Sequence, residues 1–544
     1  MPRQEALLAQ QPLIEALCNP AVFGGDCAAV EVVETHISWV LLTGTYAYKV
    51  KKAVTLSFLD FGSLAARQRC CEEELRLNRR LAPSLYVDVV AITGSSAQPV
   101  IGGPGPAIEY AVRMREFPQS ALLSRIAARG GLVAADIDAL AATVANFHQR
   151  IAVAPPDAAL GGPDEILRYA DDNFVQILAT GEAGAAAAAL AALREWTRRE
   201  HARLHPLFSA RRRRGFVREC HGDLHLANVA RIDGEITVFD GIEYSAALRW
   251  IDVASEIAFT VMDLKDRGQA AFAHRFLDAY LEATGDYEAL AVLRYYVVYR
   301  ALVRAKVACL RAGQLPPGGA RDALHREFRD YVDLAVREAE PGRAAIVITH
   351  GFAGSGKTTC TQALLEALGA IRLRNDVLRK RRFGLGPHDD SGSGLASGLY
   401  APEATRATYL QARDLAREIA ASDRVAIVDA TCLARWQRDL FRDLAAELRI
   451  PFAIVDLHAS AGTLRQRVVQ RRAAGDDASE ADLAVLEQQQ RADEALADDE
   501  LPRTLTVDAE GPAGVVSATL LRGLADLCAA DAATEQRTAP PVSC

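Results

Sequence analysis

Eight consecutive residues, Gly351-Phe352-Ala353-Gly354-Ser355-Gly356-Lys357-Thr358, fit the pattern G-x-x-x-x-G-K-[ST]. Glycines in such a loop let backbone N–H groups turn inward onto phosphate oxygens. Lys357 would bring a point charge to the β- and γ-phosphates, and the Thr358 hydroxyl suits Mg2+. The flanks agree. Ala345–Thr349 is a β-branched run expected as a buried strand. Thr359–Leu368 reads as a helix whose positive dipole end would face the loop. Gly351, Gly354, Ser355, Gly356, Lys357, Thr358 and Thr359 are thus the expected nucleotide-binding set. Further on, Val425-Ala426-Ile427-Val428-Asp429 is an apolar run closed by a carboxylate, and Asp429 would reach the metal shell directly or through water.

A second constellation lies earlier, in Cys220-His221-Gly222-Asp223-Leu224-His225-Leu226-Ala227-Asn228. Asp223 and Asn228 have the spacing of the kinase catalytic loop H-R-D-x-x-x-x-N, and Asp240 follows where kinases carry a metal-binding aspartate. Phosphoryl transfer needs an aligned, deprotonated hydroxyl and neutralised phosphate charge. Asp223 would take the hydroxyl proton, and Asn228 and Asp240 would hold Mg2+ through hard oxygen ligands. Lys49, ending the strand-like run Tyr46-Ala47-Tyr48-Lys49, would serve the α/β-phosphates and pair with Glu72, Glu73 or Glu74 on a following helix. Glu74 is the expected partner, and Lys51 and Lys52 are rivals of Lys49.

His221-Gly222-Asp223-Leu224-His225 with Asn228 and Asp240 resembles the H-G-D-x-H-x-x-N … D signature of the aminoglycoside phosphotransferase and choline kinase superfamily. Asp252 stands where such enzymes keep a structural aspartate. Glu34–Val40 and Tyr48–Lys52 look typical of bacterial two-part proteins that join such a half to a P-loop, AAA-type ATP-binding half. That resemblance covers roughly residues 25–530. It departs from the pattern at Glu34–Ser38, which lacks a glycine-rich phosphate loop. Ile371–Lys380 is similar to the acceptor segment of small P-loop kinases (the polynucleotide kinase, zeta-toxin and gluconate kinase group). The likeness implies that Asp376 activates the acceptor hydroxyl, that Arg379 holds acceptor or phosphate, and that Arg471 or Arg472 is a lid arginine.

The elements that must position these residues follow from patterning. Three strands, a helix and two strands (Val30–Glu34, Ile37–Thr43, Tyr46–Lys51, Ser63–Leu81, Tyr86–Ile92, Ile108–Phe117) have the order of a kinase-like small lobe. Helical patterns then run to about 210. Arg211–Arg214 reads as a solvated loop before a strand, and His350 as a packing residue. After Pro341-Gly342, apolar runs alternate with helices, as in a parallel sheet covered on both faces. The expected fold is therefore an α+β kinase-like two-lobed domain followed by an α/β P-loop domain. The expected domains are a helical extension (1–28), the kinase-like domain (29–340), the P-loop domain (341–530) and a disordered tail (531–544).

Composition narrows the partners. A net charge of −8 with 6% aromatic residues gives no general pull toward nucleic acid or anionic membranes. No apolar stretch is long enough for a membrane span, and ten cysteines without a CxxC pair read as reduced thiols of a cytoplasmic protein. The expected activity is ATP- and Mg2+-dependent phosphoryl transfer to hydroxyls of small molecules. Two rivals are an ATP-binding regulatory protein with one silent half and a polynucleotide-end kinase in the second half.

Overall fold

In the computed structural model, residues 2–524 are described apart from 26, 57–58, 157, 394–396, 475–476 and 513, so the tail expected over 531–544 lies outside the described residues. The chain forms two compact units. Among the described residues, unit 1 holds those up to 267 and 295–336, and unit 2 holds 268–294 and those from 337 to 524. The segment 268–294, read from sequence as part of the first half, thus clusters with the second.

Unit 1 opens with α1 (Pro2–Leu17), β1 (Glu31–Glu34), β2 (Ser38–Leu42) and β3 (Tyr46–Lys51). The short pair β4 (Thr55–Leu56) and β5 (Leu59–Asp60), helix α2 (Leu64–Asn78), and β6 (Tyr86–Ser95), β7 (Gln98–Ile101) and β8 (Glu109–Arg115) follow. A six-stranded antiparallel sheet runs β1-β2-β3-β8-β6-β7. The hairpin strand β7 lies between the two runs, Tyr86–Ile92 and Ile108–Phe117, that the sequence marks as strands. Its Gly94 turn is one only glycine fits, since φ is +84° and a Cβ would lie 2.5 Å from the Gln98 carbonyl oxygen.

Alternation along β3 divides its side chains between two faces. Tyr48 and Val50 join Trp39, Leu41, Ile92 and the α1 residues Leu13, Ile14 and Leu17 in one core, so α1 is built into the lobe. Ala47 faces α2 and its Cys71 in another core, and the same face carries Lys49 and Lys51. Ser63 caps α2 by accepting the Ala66 N–H at 3.1 Å.

The larger lobe is mainly helical: α3 (Leu123–Ala128), α4 (Ala134–Arg150), α5 (Pro163–Ala179), α6 (Ala187–Arg213), then β9 (Val217–Glu219), β10 (Val229–Ile232), β11 (Glu235–Val238), α7 (Ala246–Arg249), β12 (Trp250–Asp252) and α8 (Val253–Asp266). Helices α9 (Ala270–Thr284), α10 (Ala289–Gln314) and α11 (Gly319–Ala339) complete this stretch of chain. Arg211 is not in a solvated loop. It lies in the last turn of α6, fully buried, and grips Asp252 with Nε and Nη2 at 2.8 and 2.9 Å. Asp252 also caps α8 through the Ala254 N–H.

Unit 2 continues with β13 (Ala345–His350), α12 (Lys357–Leu368), β14 (Ile371–Arg374), α13 (Asn375–Arg382), α14 (Pro402–Ala421), β15 (Val425–Asp429), α15 (Arg435–Leu448), β16 (Phe452–His458), α16 (Ala461–Ala474), α17 (Leu483–Ala492) and β17 (Thr504–Asp508). All five strands are parallel in the order β14-β15-β13-β16-β17. Successive strands therefore leave central β13 on opposite sides, and ligands of such sheets bind at the carboxyl ends around that point. Every residue of β13 is buried, as a strand covered on both faces requires. Helix α9 packs here: His274 Nδ1 meets the Glu366 carbonyl at 2.8 Å and Asp278 accepts the Arg372 N–H at 2.7 Å. Among the described residues no helix is long and apolar enough to cross a membrane.

Candidate functional site

In unit 1 the loop after β9 carries the chemistry. Its backbone is pinned from below by a buried carboxylate. Glu256 of α8 accepts the N–H groups of His221 at 2.9 Å and Gly222 at 3.0 Å. Burial would push that carboxyl up, but His148 and His221 beside it hold it down at about 2. Arg300 of α10 donates to the Gly222 and Ser255 carbonyl oxygens at 3.2 and 3.1 Å. Thus fixed, the loop presents Asp223 with its side chain 37% exposed. Asn228 Nδ2 donates to the Asp223 carboxylate at 3.0 Å, and His225 Nε2 lies 3.3 Å away. Against the push of burial, these imidazole contacts hold the Asp223 carboxyl far below its ordinary value, so it is an ionised acceptor.

Asp240 follows β11 with φ +65°, a conformation that non-glycine residues rarely take. That turn aims its carboxylate at Lys49. Lys49 Nζ donates to Glu74 at 2.8 Å and also to Asp240. Glu74 has a second partner, Lys51, which in turn reaches Glu243. The sequence left the lysine and the glutamate open. Glu74 takes both lysines, Glu73 faces Arg76 and Arg249, Glu72 accepts from Gln68, and Lys52 pairs with Glu34. Burial raises the hydroxyl of Tyr244, and Asp223, Glu243 and Asp240 add to that push. Glu243 and Glu256 escaped sequence reading, and Lys51, read as a rival of Lys49, instead stands beside it on Glu74. The signal for Glu243 was a carboxylate three residues after Asp240 in an otherwise uncharged stretch.

In unit 2 the loop between β13 and α12 is a cradle only glycine can build at two points. A Cβ on Gly351 would lie 2.6 Å from the Leu457 carbonyl oxygen, and one on Gly354 2.7 Å from that of Leu464. Lys357 Nζ donates to the Gly351 and Phe352 carbonyls at 3.0 and 2.7 Å, folded back over its own loop. Burial pulls this ammonium down to about 8, with Arg471 pushing the same way and Asp429 and Asp376 opposing. Ser355 Oγ is buried in the loop without a hydrogen-bond partner, an orphan that a phosphate oxygen would satisfy. Thr358 Oγ1 donates to Asp429 at 2.8 Å, two hard oxygens side by side as a divalent ion requires. The residues present therefore fit a nucleotide with a divalent cation.

Asp376 opens α13 beside this cradle and accepts from Arg379 Nη1 at 2.7 Å. The Arg379 guanidinium lies 4.8 Å over the Tyr400 ring, while its Nε is buried and unpartnered. The two lid candidates separate. Arg471 lies close enough to act on Lys357, whereas Arg472 is exposed on Asp482. Thr359 is exposed on the first turn of α12. His350, read from sequence as a packing residue, is buried with polar partners. Its Nδ1 bonds Asp456 at 2.8 Å, and the same carboxylate takes exposed His458. Residues missed from sequence include Arg467, donating to the Gly354 carbonyl at 3.3 Å, and Gln489, whose side-chain oxygen accepts the Ala353 N–H at 2.8 Å. Arg374 was missed too; it ties Asp477 at 2.9 Å to Glu282 of α9 at 3.4 Å.

Comparison with known proteins finds two family segments, the first of which runs on through residues 268–293 that cluster with unit 2. Residues 58–293 match the model described as "Phosphotransferase enzyme family", and residues 346–496 match the one described as "AAA domain". Together they define the class: an ATP-dependent kinase-type enzyme with a phosphotransferase-family segment and a P-loop kinase-like segment. Uncharacterised proteins of Mycobacterium tuberculosis and Mycobacterium bovis are 29% identical over 455 residues, 83% of this chain and 88% of theirs. Among solved structures, a gluconokinase from Sinorhizobium meliloti is 24% identical, covering 35% of this chain and 94% of that one at a TM-score of 0.26. An ethanolamine kinase from Plasmodium vivax is 11% identical, covering 56% of this chain and 81% of that one at a TM-score of 0.35.

Proposed function

We propose that the chain is an ATP- and Mg2+-dependent phosphotransferase with two nucleotide sites, each transferring a γ-phosphoryl group to a hydroxyl of a small molecule. The observation that carries this reading is a repeated arrangement. In unit 1 Lys49 meets Asp240 and Asn228 meets Asp223, and in unit 2 Thr358 meets Asp429 while Asp429 and Asp376 both act on Lys357. When bound, ATP with its divalent ion supplies the transferable group and neutralises charge that builds on it. Asp223 accepts the proton of the acceptor hydroxyl as the new O–P bond forms and the bond to the bridging oxygen of the ADP leaving group breaks. Asn228 keeps that carboxylate pointed at the acceptor, and Lys49 moves onto the phosphates. In unit 2, Asp376 has the proton-accepting role, Arg379 orients the acceptor, and Arg471 covers the transferring group.

The test is stoichiometry. A non-hydrolysable ATP analogue with Mg2+, titrated by calorimetry, should fill two sites in wild type, one in Asp240→Ala and the other in Lys357→Ala. One site, lost in Lys357→Ala alone, would favour the regulatory reading, in which the kinase-like half is silent. The turn between β1 and β2 supports keeping that reading in view: the Thr35 N–H and hydroxyl both close on the Ser38 carbonyl, and no glycine loop is there to cover phosphates.

A further inference from the structure

Kinase-type sites need one lysine beside one helix carboxylate. This chain has two lysines on one strand face, and the second contacts no group assigned a direct catalytic role. The side chains of Lys51 and Glu74 have no exposed surface, and that of Glu243 has 3%. Lys51 bonds both carboxylates and its ammonium also lies 5.5 Å from the centre of the Phe61 ring. The result is a buried row of alternating charge, Asp240–Lys49–Glu74–Lys51–Glu243, joining β3, α2 and the segment after β11.

Counting charge along the row shows what the second lysine does. Three carboxylates face two ammoniums, so Lys49 is divided between Glu74 and Asp240. To serve phosphates it must loosen its hold on both. Asp240 would then turn to a divalent ion, but Glu74, wholly buried, would be left without compensation, and so at a penalty, if Lys49 were its only partner. Lys51 removes that penalty, because it stays on Glu74 whichever way Lys49 turns. It also ties α2 to the Asp240 segment through Glu243, three residues beyond the metal carboxylate.

We propose that Lys51 is a positioning residue: it holds Glu74 and Glu243 together so that Lys49 and Asp240 are released to nucleotide and metal without stranding a buried carboxylate. This rests on the nucleotide site proposed for unit 1. It predicts an asymmetry between the two lysines that a single-pair kinase site would lack.

The experiment measures binding of the non-hydrolysable ATP analogue with Mg2+, in full-length protein carrying Lys357→Ala so that only the unit 1 site reports. Lys49→Met should weaken binding about tenfold or more while thermal unfolding stays near that of the parent, because Lys51 still covers Glu74. Lys51→Met strands Glu243 and should unfold earlier. The deciding variant is Lys51→Met/Glu243→Gln, which removes the stranded charge and should recover the unfolding temperature. A positioning role leaves its nucleotide affinity about tenfold low, because α2 and the Asp240 segment are no longer joined. Parent-like affinity in that refolded double variant overturns the proposal, since Lys51 would then matter only for stability. Should the double variant not fold, Glu243→Gln alone decides, with weakened affinity expected and unchanged affinity refuting. Absence of binding in the Lys357→Ala parent would instead remove the unit 1 site itself.

Discussion

Lys357 makes a quantitative prediction possible, because its ammonium is held at about 8. Four ionisable groups act on it. Asp429 and Asp376 favour its charge and Arg471 opposes it, while the Cys432 thiol, raised by burial to about 12, stays neutral throughout. Phosphate binding needs the ammonium form, so binding must draw a proton whenever the free protein has lost it. At pH 7 about ten in eleven molecules carry that proton, and at pH 9 about one in eleven does. Affinity at the unit 2 site should therefore fall about tenfold from pH 7 to pH 9, or about 1.4 kcal/mol, and be nearly flat below pH 7. The assay is calorimetric titration of the ATP analogue into Asp240→Ala, repeated in two buffers of different ionisation enthalpy. Proton uptake should rise from near zero at pH 7 toward one at pH 9. Replacing Arg471 by Ala removes the like charge and should move the fall to higher pH. A flat affinity from pH 7 to pH 9, or the same fall in Lys357→Met, would refute the reasoning.

Other consequences are as direct. Arg211→Met leaves Asp252 buried without its guanidinium and should destabilise unit 1 by about 3–5 kcal/mol, measured by urea unfolding, with Arg211→Lys only partly better because the two-point grip is lost. Glu256 lies at about 2 against an ordinary 4.5, so the stability it contributes is present above 4.5 and is lost as pH falls through 2. An acid scan should show about 3 kcal/mol of wild-type stability lost across that window and missing from Glu256→Gln. Leu281→Ala empties a fully buried position on α9 and should cost about 2–5 kcal/mol, seen as weaker protection of unit 2 amides to hydrogen exchange.

The sequence was readable where chemistry and periodicity coincide. The loop at 351–358 could be placed because its glycines, lysine and flanking strand and helix each require one another, and the parallel strands of unit 2 fall within a residue or two of their apolar runs. Asp223, Asn228 and Asp240 were singled out by spacing; the structure puts Asn228 on the Asp223 carboxylate and Asp240 on Lys49. What stayed hidden was set by long-range pairing. Nothing local distinguishes Glu74 from Glu72 and Glu73; only the register of α2 against β3 turns one inward. Arg211 looked like any residue of a basic run, because its burial depends on Asp252, 41 positions away. Glu282 and Arg374 met only once α9 had packed beside β14.

The placing of α9 also bears on how the chain is made. Its Asp278 waits for Arg372, which leaves the ribosome 94 residues later. At about 5–20 residues per second that is about 5–19 s during which a helix with Phe276, Leu277, Tyr280 and Leu281 meant for burial has no lasting partner. The two units cannot be finished one after the other like beads. The first is interrupted before it closes, and the second begins with a piece already made. A nascent chain of this design is most exposed to aggregation midway through synthesis, and gene fusions or truncations that cut at the apparent boundary near 341 would carry α9 away from the unit it serves.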